Sequence, residues 1–404
     1  MADDQPLDVD WGVALLDAAV RAGNSVAVDE LVDRGVVSTY AGTDGVDPVA
    51  TAADLGAYMI LQCLLGDRPW MPRAGDAEQR ALRAARPWLV LDPEAELRRR
   101  LGGGPVTVLR ERVVLPDGSG TVDFTPHAIR VRATAVDGRQ SEVYMAHRGI
   151  ITAVEQRLGL VVPRDELLAR ALFHADPGSC DWEAAQAALN SDGDYGTTYH
   201  WAAALLADAS VDVRRFATEA LHHMSFDARP FAAETTAALR GRLSAERDAI
   251  TLDALIGAYV GYVAEDADLT DMLVLAGHPA PMIRSRVASS LRWMTASRPA
   301  AADVLVKLTS DPAAEVRQTA LAVLSDEQPI DTGPVRDILA AALTDDNPRN
   351  RLSAACGLVL RGDPRGTEPF ADLHATARPE SPEYWRLDST RRLLEYRHRP
   401  SNNP

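Results

Sequence analysis

From about Leu158 to the end of the chain, apolar residues recur at helical spacing, in runs separated by short segments that contain Pro and Gly. Recurrence at i, i+3, i+4 and i+7 is typical of helices that bury one face, and Pro and Gly are typical of the turns between them. The pattern predicts seven pairs of helices, at 164–190, 196–225, 228–263, 266–295, 298–325, 332–361 and 365–397.

Residues 105–153 have a different pattern, in which β-branched runs are separated by Asp-Gly turns such as PDGSG and DGRQ. Two successive hairpin signals of this kind indicate an antiparallel meander of three or more strands. Val131 and Ala133 alternate with Arg130 and Arg132, as expected for a sheet with one buried face. We therefore predict a small β meander over residues 105–157.

The N-terminal region contains a short repeat. Gly23 corresponds to Gly56, and Leu31-Val32 corresponds to Leu64-Leu65, so both offsets are 33 residues. A weaker third copy follows at 81–104. Each copy predicts two short helices around a glycine turn, and a helical domain without repeats is the alternative.

A longer repeat runs through the C-terminal half, where an acidic residue or His278 is followed six residues later by an arginine. Such self-similarity is typical of arrays in which each unit buries its apolar face only against its neighbours. We expect the Asp to cap the following helix and the Arg to reach the Asp of an adjacent repeat. The residues of this predicted ladder are Asp208, Arg214, Arg284, Asp311, Arg317, Asp345 and Arg351. The copy near Ile250 lacks the Arg.

The stretch LTSDPAAEVRQTALAVL at 308–324 is similar to the HEAT-repeat motif, as are 205–221, 275–291 and 342–358. The N-terminal copies resemble the AAxxGxxxxVxxLLxxG half of ankyrin repeats. These resemblances imply a mainly α chain that joins an ankyrin-like array to a HEAT-like α-solenoid through the meander. The predicted domains are 1–104, 105–157 and 158–399, followed by a disordered tail at 400–404.

Composition narrows the functional classes. The net charge is −16, and residues 201–404 carry 23 basic and 28 acidic side chains, so most of the negative charge lies in the first half. This charge opposes binding to phosphate backbones. Lys307 is the only lysine, which with abundant Ala, Asp and Gly suggests a high-GC bacterial genome. Three scattered cysteines, no signal peptide and no long apolar run favour a reducing cytoplasm and exclude a membrane span.

The HEAT resemblance implies that the helix bearing Val-Arg lines a concave face. Helical spacing then directs the polar side chains of 212–224 and 282–294 outward, with tyrosines of the intervening helix between them. Trp, Tyr and Arg dominate interface hot spots. The predicted partner-binding residues are Arg215, Glu219, His222, Tyr259, Tyr262, Arg286, Ser290 and Trp293. The alternative is that the aromatic residues pack between repeats.

Chemistry is a second possibility. In the meander, the polar residues most like a catalytic set are Asp123, His127, His147 and Glu155. No nucleophile motif lies near them, and Gly102–Gly104 is not a phosphate loop because no lysine follows it. His222 and His223 are adjacent and point about 100° apart, so they cannot chelate one metal directly.

The leading hypothesis is therefore a non-catalytic adaptor or scaffold that binds a protein or peptide, with no cofactor or metal. The rival is an enzyme or self-resistance protein that acts on a peptide or small metabolite in a pocket beside the meander. A HEAT-like fold is also used by some alkyl-base DNA glycosylases, where tryptophans and an Asp act on a cationic base. Overall negative charge and the single lysine oppose this last function, and a nucleic-acid partner is not expected.

Overall fold

A computed structural model gives the fold of most of the chain. The described residues are 9–36, 46–66, 75–115, 126–191, 193–226, 229, 231–263, 268–292, 299–326 and 331–397. Within them the chain is mainly helical, with one three-stranded antiparallel sheet, which confirms the predicted fold class in its coarser form. The chain divides into two compact units, Met1–Trp201 and Ala202–Pro404. The predicted tail at 400–404 lies outside the described residues.

In its described residues, the first unit contains the helices α1 to α9 and part of α10. They are α1 (Val9–Arg21), α2 (Ser25–Asp33), α3 (Pro48–Leu55), α4 (Tyr58–Leu65), α5 (Gly75–Ala85), α6 (Pro93–Arg100), α7 (His147–Arg157), α8 (Arg164–Ala171) and α9 (Cys180–Ser191). The boundary between the units falls within α10 (Tyr195–Leu205). Helix α1 packs on α3, α3 on α5, α5 on α7 and α7 on α9.

Local sequence explains where these helices begin and turn. Asp47 and Asp92 accept hydrogen bonds from the backbone N–H groups three residues later, and each is followed by a proline. Gly23 and Gly56 adopt φ values of 65° and 68°, a left-handed conformation that glycine reaches without steric cost. The predicted glycine turns of the two N-terminal copies are therefore confirmed.

The sheet consists of β1 (Val106–Val114), β2 (His127–Ala135) and β3 (Gln140–Tyr144), in that order, with both pairs antiparallel. Val131 and Ala133 are fully buried and pack with Leu97 of α6, while the arginines between them are partly exposed. The alternation expected from the sequence thus places one face of β2 in the core.

The predicted meander extends too far, because residues 147–157 form helix α7. Almost all of α7 is buried, including Ile150, Ile151 and Val154. In a short apolar segment that is buried on all sides, hydrophobic periodicity cannot distinguish a helix from a strand. For this reason the sequence of the segment resembled that of a strand. Gly149 allows close packing, since a Cβ there would lie 2.6 Å from the Cys180 carbonyl oxygen.

The second unit is helical throughout its described residues. It contains α11 (Val211–Met224), α12 (Ala232–Leu243), α13 (Ala249–Tyr262), α14 (Thr270–Val274), α15 (Pro281–Ser290), α16 (Pro299–Leu308), α17 (Ala314–Ser325), α18 (Gly333–Ala342), α19 (Pro348–Leu360), α20 (Thr367–Thr376) and α21 (Pro382–Arg397). Together with α8 to α10, these helices place two helices in each of the seven segments for which the sequence predicts a pair. Helices α11, α13, α15, α17 and α19 pack on one another in sequence. No described helix is long and apolar enough to cross a bilayer.

Candidate functional site

The repeated acidic residue of the second unit forms a side-chain hydrogen bond in the turn that precedes α11, α17 and α19. The side chains of Asp208, Asp311 and Asp345 each accept a hydrogen bond from the backbone N–H two residues later, at 2.7–2.9 Å. His278 does the same through Nδ1, with the Ala280 N–H at 3.1 Å. The histidine that departs from the sequence pattern therefore performs the same structural task as the aspartates.

The repeated arginine closes the same turn from the other side. Nη1 of Arg214 donates to the carbonyl oxygens of Asp208 and Ala209, at 2.9 and 3.1 Å. Arg284, Arg317 and Arg351 make the corresponding pair of bonds at 2.7–3.0 Å. The spacing of six residues is thus explained by a bond within the repeat, which sequence reasoning had missed.

The expected bond between adjacent repeats forms at two joints. Arg284 binds both carboxylate oxygens of Asp311 at 2.7 Å. Arg214 binds both oxygens of Glu246 at 2.8 and 2.9 Å, so a glutamate takes the acidic position in the copy near Ile250. Within the described residues, Arg317 makes no such bond to Asp345.

Three residues of the predicted partner surface are buried. Arg215 is 7% exposed and binds Asp248 at 3.0 Å. Tyr259 and Tyr262 are 1% and 4% exposed, and the Tyr262 hydroxyl donates to the Leu221 carbonyl oxygen at 2.9 Å. The prediction that these side chains face a partner is wrong, because the packing of α11 against α13 covers them. Trp293 lies outside the described residues.

The other predicted residues of this surface are half-buried. Arg286 forms an ion pair with Asp253, and the His222 ring lies against Gly257, where a Cβ would be 3.4 Å from Cε1. Burial, His223 and Arg286 lower the pKa of His222 to about 4, so it is neutral at pH 7. Glu219 and Ser290 are also half-buried.

A cavity of about 260 Å³ in the second unit is lined by three arginines, and we call it the arginine pocket. Asp326 pairs with Arg292 and, at 3.1 Å, with Arg386. Arg349 also lines the cavity, is exposed, and its guanidinium makes no bond to any described residue. Burial and, to a smaller extent, the neighbouring Arg386 lower the pKa of Arg292. The other lining residues are Gln318, Ala322, Leu352, Ser353, Pro382 and Glu383.

Sequence reasoning did not find the arginine pocket, because its members come from separate helices at no common spacing. Arg386 belongs to α21, whereas Arg349 belongs to α19, and Arg292 follows α15.

Among the described residues, the predicted catalytic side chains of His127, His147 and Glu155 have separate partners. His127, at the start of β2, is 8% exposed, and its Nε2 lies 2.7 Å from an Asp176 carboxylate oxygen. Arg112 also contacts that carboxylate, at 3.1 Å. Glu155 binds Arg170 at 2.7 Å on α8. Asp123 lies outside the described residues.

His147 has a structural position. It is 3% exposed, its ring stacks on Trp88 with centroids 4.8 Å apart, and its Nε2 lies 3.1 Å from the Asp54 carbonyl oxygen. Arg100 covers Trp88 at 5.0 Å from the ring centroid. Burial lowers the pKa of His147 to about 4, so the ring is neutral at pH 7 and serves packing in this stack.

Three of the histidines of the described residues do not line the four cavities considered below. Neither the arginine pocket nor the cavities of the first unit that adjoin α3, β1 or α8 are lined by His127, His147 or His222. In the described part of the chain, no group of three or more His, Cys, Asp or Glu side chains could hold a metal ion. We consider the cavities and their charged linings as candidate functional sites.

Comparison with known proteins finds structural similarity without a family. No protein-family model matches the chain, and no curated protein matches it. Among solved structures, the crystal structure of Escherichia coli YibA is similar, with 17% sequence identity and a TM-score of 0.45. The match covers 60% of this chain and 89% of YibA. A similarity at this level defines neither a family nor a function for the chain.

Proposed function

We propose that the chain is a non-catalytic binding protein built from helical repeats, ankyrin-like at its N-terminus and a HEAT-like α-solenoid in the second unit. In this proposal the second unit holds a protein or peptide partner on the surface around the arginine pocket. The partner carries an acidic group, either a side-chain carboxylate or a C-terminal carboxylate, which enters the pocket.

The repeat part of the proposal is supported by side-chain bonds at a constant sequence separation. These bonds join positions 33 or 34 residues apart, as stacked copies of one unit would. They are Asp17–Thr51, Asp47–Arg80, Arg215–Asp248, Arg286–Asp253 and Ser285–Thr319.

The binding part depends on one observation. The Arg349 guanidinium has no partner among the described residues. The cavity that it lines also contains Arg292 and Arg386, which both pair with Asp326, and the carboxylate of Glu383, so three guanidiniums face two carboxylates. A guanidinium forms strong bidentate hydrogen bonds with carboxylates, so an anionic group is the complementary ligand. A cavity of about 260 Å³ is smaller than the usual 300–1,000 Å³ of metabolite sites, which favours one side chain of a larger partner.

The proposal is tested by selecting binders from a phage-displayed library of random peptides on the full chain. We expect the selected peptides to contain Asp, Glu or a required free C-terminus. Arg349→Ala should weaken their binding about tenfold, because it removes a charge-assisted hydrogen bond worth about 1.5–3 kcal/mol. Arg378→Ala is the matched control, since Arg378 is exposed on the same unit and does not line the pocket. Equal binding by both variants would show that the pocket is not the site.

A further inference from the structure

Within the described residues, the sheet of the first unit has an unpaired edge at β3. In the β2–β3 pair, the Ala135 N–H donates to the Arg139 carbonyl oxygen and the Met145 N–H donates to the Ile129 carbonyl oxygen. Hydrogen-bonded and non-hydrogen-bonded pairs alternate along an antiparallel ladder. The odd-numbered residues of β3 therefore bond to β2, and the backbone groups of the even-numbered residues point away from it.

Gln140 and Glu142 present these outward backbone groups. Among the residues that the structure describes, their N–H and C=O groups make no hydrogen bond outside the β2–β3 ladder. An edge strand with free donors and acceptors is a template for an additional strand. At the other end of β3, a Cβ on Gly56 would lie 1.9 Å from the Tyr144 carbonyl oxygen, so the turn after α3 already covers that end.

A cavity of about 760 Å³ opens beside this edge, and we call it the β3 cleft. Gln140, Ser141 and Glu142 of β3 line it together with residues of α3. Its volume lies within the 300–1,000 Å³ typical of ligand sites, about three times that of the arginine pocket. The full lining is Arg21, Asp47, Ala50, Thr51, Asp54, Leu55, Ala84, Arg100, Gln140, Ser141 and Glu142.

The α3 side of the cleft is a row of polar side chains held in place by their neighbours. Asp47, Thr51 and Asp54 follow one another at helical spacing and all face the cavity. Thr51 donates to Asp17 at 2.8 Å, and Asp54 accepts two bonds from Arg100 at 2.8 Å. A strand lying between β3 and α3 would thus meet main-chain groups on one side and fixed polar side chains on the other.

The charge of the cleft favours a cationic occupant. Three carboxylates line it, from Asp47, Asp54 and Glu142, against the two guanidiniums of Arg21 and Arg100. Asp47 and Glu142 also pair with Arg80 and Arg132, at 2.7 and 2.8 Å, from outside the lining. The whole first unit also contains more acidic than basic residues. A field of this sign raises the local concentration of basic segments and opposes acidic ones.

We propose that the β3 cleft binds an extended peptide segment that carries Lys or Arg, which adds to the sheet as a fourth strand beside β3. The main chain of the peptide bonds to Gln140 and Glu142, and a basic side chain reaches the carboxylates of α3. This site lies in the first unit and does not depend on the arginine pocket.

The test uses the full chain and peptides selected on it from a phage-displayed random library, with affinities measured by calorimetry. Gln140→Pro removes the outward N–H of an exposed edge position and leaves the bonds to β2 intact. Gln140→Ala, which keeps that N–H, is the matched control. We expect selected Lys- or Arg-bearing peptides to bind Gln140→Pro about tenfold more weakly than Gln140→Ala, and to bind Arg349→Ala normally.

Equal affinities of the proline and alanine variants would overturn the proposal, as would a library that yields only acidic peptides sensitive to Arg349→Ala. If Gln140→Pro fails to fold, N-methylation of successive residues in the selected peptides decides the question on the unmodified chain. Strand addition requires that methylation at alternate positions abolishes binding. A loss without this period of two would contradict strand addition.

Discussion

At the scale of single residues, the repeated arginines of the second unit make two kinds of hydrogen bond, one local and one to a residue distant in sequence. Each one bonds to the carbonyl oxygens of its own turn, and two of them also bind an acidic side chain of the next repeat. The contact between Arg214 and Glu246 is an example of the bond to an acidic side chain. The Glu246 side chain is almost wholly buried, and it accepts two bonds from Arg214 and two from backbone N–H groups.

Glu246→Gln should lower the free energy of unfolding at pH 7 by about 1–3 kcal/mol, because a buried charge-assisted pair becomes a neutral contact. The hydrogen bonds from Arg214 lower the pKa of Glu246 to about 2. The ionised form therefore stabilises the fold above the ordinary pKa of 4.5, and this contribution is lost as the pH falls towards 2. Urea unfolding between about pH 7 and pH 3 should show less acid destabilisation in the variant.

Glu368→Gln is the control for this prediction, since Glu368 is exposed near the start of α20. Similar losses of stability in the two glutamine variants would show that the Arg214–Glu246 contact contributes nothing specific.

At the scale of elements, the turn between α3 and α4 fixes the position of β3. Gly56 ends α3 in the left-handed conformation, and its α-carbon faces the Tyr144 backbone. The same contact determines where the β3 cleft ends. Any side chain at position 56 would have to displace either the turn or the strand.

Gly56→Ala should therefore lower the free energy of unfolding by about 3 kcal/mol or more, from left-handed strain of about 1–2 kcal/mol together with the backbone clash. Gly35→Ala is the matched control, because Gly35 has φ 83° and a Cβ added there would meet nothing within 4 Å. It should show the strain alone. Equal thermal shifts in the two variants would contradict the proposed close approach.

At the scale of the whole molecule, charge separates the functional hypotheses. The chain carries −16, and both halves are negative. A protein binds a phosphate backbone chiefly by neutralising phosphates with Lys and Arg, which releases counterions. A chain with net negative charge can do this only through local basic patches.

We therefore predict no binding of a fluorescent DNA duplex to the chain at physiological salt, about 0.15 M, as measured by anisotropy. The duplex is to be tried with and without an alkylated base. Saturable binding that weakens steeply with added salt would instead favour the glycosylase alternative.

The sequence by itself determined the elements whose signals are local. Periodicity, Pro and Gly located the helices of the seven predicted segments, and the Asp-Gly hairpin signals located the sheet. The exception was α7, where burial on all sides removes the periodicity that distinguishes a helix. The acid–arginine spacing likewise marked a turn that recurs before four helices, although the bond from the arginine to the carbonyl oxygens of that turn could not be inferred from spacing alone.

Only the tertiary structure decided which side chains reach an accessible surface. Arg215 and Tyr259 have the composition of a hot spot, but neighbouring helices cover them. Conversely, Arg349 and the outer edge of β3 acquire their surroundings from segments far apart in the chain. Helical spacing specifies which residues share a face, whereas exposure and cavities depend on what packs against that face, and this is a property of long-range contacts.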